Sequence, residues 1–142
     1  QSLKGRSIPL EFFSKLGEKT NLNFVSLQKG FGSEQLETCS FNKKFISCQD
    51  KVEAIWDFVE IAAIISNCDL IITSDTSVAH LAGGMGKKTW LLLHYLPDWR
   101  WGLNSNRTFW YPSMKLFRQS ERDNWIEVME RVSLELKLLF FK

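Results

Sequence analysis

The 142-residue chain lacks most of the features that assign a function class on sight. Its cysteines number three, Cys39, Cys48 and Cys68. That odd number, without the paired spacing of a zinc site, excludes a disulfide framework and offers no metal-ligand set. The thiols are read as reduced, and a cytoplasmic location is expected. No apolar run approaches the ~20 residues that a membrane-spanning helix needs, and no signal-peptide pattern opens the chain. The formal charge is only +2, with no basic or acidic run, which argues against nucleic acid as a partner. No G-x-G-x-x-G follows a strand, so a nucleotide-dependent oxidoreductase is disfavoured. Carboxylate pairs and His/Cys clusters at ligand spacing are missing too, so nothing calls for a metal. There is no internal repeat and no low-complexity stretch.

What remains is an ordinary globular composition, 44% hydrophobic and 24% charged, expected to form one domain over residues 1–142. Aromatics are the exception: 6 Trp and 11 Phe, with several rings crowded between residues 95 and 117. The chain opens on Gln1, and QSLKGRSIPL has no strong element of its own. It is therefore expected to be a piece of a longer protein.

Pro9 suits a helix start, and Leu10, Phe12, Phe13 and Leu16 follow at helical spacing over 10–17. NFVSL (23–27) reads as a short buried strand closed by Gln28, Lys29 and Gly30. A helical turn is expected at 34–38 and a weak strand at FISC (45–48). Residues 53–67 set Ile55, Phe58, Val59, Ala62, Ala63 and Ile65 on one wide apolar helical face. Strands are expected at 70–73, 89–93 and 115–118, with helices over 76–85 and 124–140. Helices alternating with continuously apolar strands predict an α/β fold. The expectation is a Rossmann-like three-layer sandwich with a mainly parallel sheet of 4–5 strands.

The stretch DLIITSDTSVAHLAGGMGKK (69–88) carries the chemistry. Ligands of open parallel sheets bind beyond the carboxyl ends of the strands. Asp75, Thr76 and Ser77 fall there, at the start of a helix whose free N–H groups attract anions. His80 stands one turn into that helix and leans back toward the same spot. Thr76 and Ser77 add hydroxyl donors for a phosphate, and a protonated His80 adds charge. Asp75 repels phosphate and suits a sugar hydroxyl. Each residue alone has a plainer role: a helix cap for Asp75 or Thr76, packing for His80. All four at one edge favour a ligand site.

Other polar residues end neighbouring strands. Lys29 and Arg118 are candidate phosphate contacts, Gln28 a base or ribose contact, and His94 and Gln119 face the same crevice. The aromatic loop 94–112 leaves this edge. Trp99, Arg100 and Trp101 are candidate lid residues, and Trp110 and Tyr111 join them as rings that stack on a ligand or bury themselves to hold the loop down.

DTSVAHLAGGMGK, together with SLQKG (26–30), LPDWRW and WYPSMKLFRQ, resembles the C-terminal, donor-binding half of a GT-B glycosyltransferase of the heptosyltransferase-like kind. Such domains often follow tetratricopeptide helices in bacterial proteins and are distantly related to protein O-GlcNAc transferases. The resemblance runs from about RSIPL at residue 6 to the end. It implies a nucleoside-diphosphate sugar as donor substrate and no further cofactor. By the same resemblance Asp75 lies near the sugar, Thr76 and the Ser77 backbone meet the diphosphate, and His80 stands on the phosphate side. Many relatives carry Gly at the position of Ser77, so a side chain here narrows the approach. The family's catalytic base usually comes from an N-terminal half, so this chain alone is expected to be inactive. The alternative is a non-catalytic binding or assembly module, a remnant of the transferase fold.

In the common strand order 3-2-1-4-5-6 the first strand is central, and such a strand precedes RSIPL in full domains. Its absence here predicts a rearranged sheet in which NFVSL pairs directly with DLIIT, or a gap filled by an N-terminal half or a second copy in a homodimer.

Overall fold

The alternation inside one strand fixes the architecture. In TWLLL every residue is buried, with Trp90 and Leu92 in one core cluster and Leu91 and Leu93 in another. Successive side chains of a strand point to opposite faces, so this strand must be covered on both sides. The computed structural model describes residues 6–18 and 21–141. The expectation for the chain's opening lies, for residues 1–5, outside them.

A 3-10 turn at Leu10–Phe13 runs into α1 (Ser14–Gly17), followed by α2 (Gln35–Thr38), α3 (Gln49–Glu53) and α4 (Phe58–Ser66). The sheet elements then alternate with helices: β1 (Ile71–Ser74), α5 (Ser77–Gly84), β2 (Thr89–Leu93), β3 (Met114–Arg118) and α6 (Trp125–Phe140). The three strands are parallel in the order β1-β2-β3, with Ile71 beside Thr89 and Thr89 beside Met114. On one face α6 buries Trp125, Val128, Met129, Val132 and Leu136 against Trp90, Leu92 and Phe117, with Leu16 of α1 joining them. The other face holds Ala79 and Ala82 of α5 and Ile65 of α4. The fold is thus α/β and Rossmann-like, with an open parallel sheet between helices. Among the described residues no helix is long and apolar enough to cross a membrane.

The sheet has three strands, where 4–5 were expected. Neither NFVSL nor FISC joins it. Phe24 and Phe45 form only an isolated parallel bridge, in which the Phe24 N–H donates to Lys44 O and the Ile46 N–H to Phe24 O. What holds them is aromatic: Phe24, Phe41 and Phe45 have ring centroids 5.2–5.9 Å apart. NFVSL therefore does not pair with DLIIT, and β1 is an edge of the sheet. The NFVSL segment still packs alongside β1. Phe24 reaches the cluster beneath α6, and Leu27 reaches the one beneath α4.

The expected helix over 53–67 forms only at Phe58–Ser66, as α4; α3 ends at Glu53 and residues 54–57 are not helical. Asp57 breaks it: its side chain accepts from the Glu60 N–H at 3.1 Å and caps α4. The apolar face shifts accordingly. Ile61 and Ile65 pack inward, while Phe58 and Val59 are 60% and 76% exposed.

Four carboxyls are held more acidic than usual, each first by a side-chain hydrogen bond: Glu11 by Ser40, Glu53 by Gln49, Asp98 by Arg100 and Glu127 by Arg131. Their folded values lie below the unfolded ones, so their contribution is complete above about pH 4.3 and is lost as pH falls through the folded values. Denaturant midpoints are expected to drop as pH falls below about 4.3, and E127Q should make that drop shallower.

Candidate functional site

β1 ends at Ser74, and Asp75 makes the turn into α5. Thr76 is the N-cap in extended conformation, but its side chain makes no capping bond; its hydroxyl lies 3.3 Å from that of Thr73. Among the described residues the first N–H groups of α5 therefore lack a side-chain acceptor. Thr76 and Ser77 are exposed. Asp75 is not: its side chain is 7% exposed, and its Oδ2 is buried with no hydrogen bond among the described residues.

Two groups flank this carboxylate without bonding to it. An Arg6 guanidinium nitrogen lies 3.9 Å from Oδ2, and His80 Nε2 lies 4.0 Å from Oδ1. Both distances exceed a hydrogen bond and match the span that one bridging hydroxyl fills. His80 stacks on the indole of Trp101, centroids 5.4 Å apart and 27° between planes. Its Nδ1 lies 2.8 Å from the Tyr111 hydroxyl. Trp101 is buried, and its Nε1 likewise has no partner. An orphan acceptor and an orphan donor thus lie on two residues that both approach one imidazole.

The four residues expected at this edge, Asp75, Thr76, Ser77 and His80, do come together. The others divide. Arg118 is not free for phosphate. Its guanidinium donates to the carbonyls of Ser105 at 2.9 Å, Gly102 at 3.0 Å and Trp101, and burial pushes it below its ordinary pKa. Lys29 donates to Ile55 O and sits over the Trp56 ring at 5.6 Å. Gln28 donates to Phe31 O at 2.8 Å, closing its own loop. Gln119 is buried and accepts from the Tyr95 N–H at 3.0 Å. These side chains fold loops; strand-end position alone does not separate the two uses.

The candidate lid divides as well. Trp101 walls the site, while Trp99 is 78% exposed. Arg100 pairs with Asp98 at 2.9 Å, which raises its pKa, with a smaller contribution from the charge of Asp75. Sequence reasoning missed Arg6 and gave Tyr111 no partner. Arg6 carries no motif, and Tyr111 lies 31 residues beyond His80. Two shallow hollows, about 270 and 330 Å³, lie elsewhere, one against Gly17 and Phe41 and the other along Phe45–Lys51. The site at Asp75 is accordingly a shelf at the exposed start of α5 with a covered carboxylate at its back. Among the described residues no group of three or more His, Cys, Asp or Glu side chains is placed to hold a metal ion. Comparison with protein-family models, with curated proteins and with solved structures gave no match for this chain.

Proposed function

We propose that the shelf at the end of β1 binds a nucleoside-diphosphate sugar, and that the chain is the donor-binding half of a glycosyltransferase. One observation carries the reading: a carboxylate with one oxygen buried and unbonded, at the carboxyl end of a parallel strand. Such an atom destabilises the empty protein and is satisfied by a donor that arrives with the ligand. A sugar hydroxyl is that donor. The N–H groups opening α5 and the exposed hydroxyls of Thr76 and Ser77 suit the diphosphate, with Arg6 and Arg100 balancing its charge and His80 offering a hydrogen bond. In transfer, the same groups would stabilise charge on the departing nucleoside diphosphate.

Calorimetric titration with uridine, guanosine, adenosine and cytidine diphosphates and their sugar conjugates tests this. Saturable binding of one sugar conjugate, tighter than inorganic pyrophosphate, is expected. No binding by the folded protein would leave the second reading, an assembly module. That reading has its own observation: Phe31, Trp56 and Phe109 are each at least 94% exposed, which suits contact with another protein.

A further inference from the structure

His80 and Gly83 lie three residues apart on α5 and so share a face. Tyr111, from the loop before β3, closes over that face. A Cβ added to Gly83 would stand 2.6 Å from Cγ of the Tyr111 ring and 2.8 and 2.9 Å from its two Cδ atoms. Only glycine lets the ring come so near the helix. The ring, so lowered, brings its hydroxyl to 2.8 Å from His80 Nδ1.

The direction of that hydrogen bond decides what His80 offers on its other side. If Nδ1 carried the proton and donated to the phenol, the bare lone pair of Nε2 would face the Asp75 carboxylate at 4.0 Å. That contact is repulsive. If the phenol donates to Nδ1, the proton sits on Nε2 and faces the carboxylate, which is attractive. The stacked Trp101 ring restrains the imidazole plane in either case.

We infer that Tyr111, seated in a notch at Gly83, is a positioning residue that fixes neutral His80 with its proton on Nε2. The assignment deepens the proposed donor site and rests on that reading for its purpose: Nε2–H becomes a ready donor between Asp75 and a bound phosphate or hydroxyl.

Nitrogen-15 NMR of the whole chain, without ligand and in alkaline buffer where imidazole is neutral, reads the tautomer directly. The chain has only two histidines, so an H94N variant assigns the signals. The wild type is expected to show Nε2 protonated and Nδ1 accepting a hydrogen bond. Y111F keeps the ring and removes the hydroxyl; Nδ1 should move to the position of an unbonded nitrogen, and the tautomers should mix. G83A should give the same His80 change by displacing the ring. A wild-type proton on Nδ1, or a Y111F spectrum identical to wild type, overturns the inference. Affinity for the nucleoside-diphosphate sugar should fall about fivefold in Y111F, the loss for one neutral hydrogen bond. If no variant binds any such ligand while the tautomer responds as stated, the inference holds and the donor-site reading fails.

Discussion

On the donor-site reading, D75N is expected to weaken sugar-nucleotide binding by at least an order of magnitude while leaving the fold about as stable as wild type. Both halves follow from the same atom. Asp75 Oδ2 is buried with no hydrogen bond among the described residues, and a buried acceptor left so costs a protein about 1–3 kcal/mol, less where a charge such as Arg6 stands near. Replacing the charge with a neutral amide relieves part of it but gives up the attraction of Arg6 and of the His80 N–H, so the melting temperature should change little. The ligand loses a charge-assisted hydrogen bond, worth about 1.5–3 kcal/mol, or roughly a 10- to 150-fold loss in affinity. Calorimetry for binding and thermal unfolding for stability separate the effects. A D75N protein that unfolds more easily and binds as before would make Asp75 a structural residue.

R118A gives the opposite pattern, a marked loss of stability with little direct effect on ligand. The guanidinium holds the carbonyl of Trp101, which ends the 3-10 turn Trp99–Trp101, and those of Gly102 and Ser105 in the loop that follows. Removing it leaves those acceptors to water and frees the loop. About 2–3 kcal/mol is the expected loss, measured by urea unfolding, and R118K should recover little because an ammonium cannot bridge three separated carbonyls. Binding should weaken only as far as Trp101 loosens behind His80. If R118A instead left stability unchanged and removed the salt dependence of binding, Arg118 would be a phosphate ligand after all.

These two arginine and aspartate outcomes also mark how far the sequence could be read. TWLLL and the alternating helices gave the parallel sheet, because continuous apolar runs have few other uses. The Asp75–His80 grouping was legible because helical spacing turns a sequence interval into a direction in space. NFVSL stays out of the sheet for a physical reason: an apolar segment takes on sheet hydrogen bonds only where a neighbour is in register. Here the neighbours are the rings of Phe41 and Phe45. The break at Asp57 had a visible sign, an acidic cap three residues before Glu60, which the apolar pattern masked. Arg118 and Tyr111 had none. Their partners are loop carbonyls and a helix notch whose positions only the folded chain defines.

The outer side of β1, packed against side chains but not joined by backbone hydrogen bonds, has a consequence for exchange at its amides. The Ile71 amide donates across to Lys88 O on the β2 side. Strand geometry then turns the Ile72 and Ser74 amides away from β2, and among the described residues neither has a backbone acceptor. Deuterium uptake along this strand should therefore alternate, slow at 71 and 73 and fast at 72 and 74. Any chain that lies down beside the strand would erase the alternation, so the two fast amides serve as built-in reporters of a neighbour.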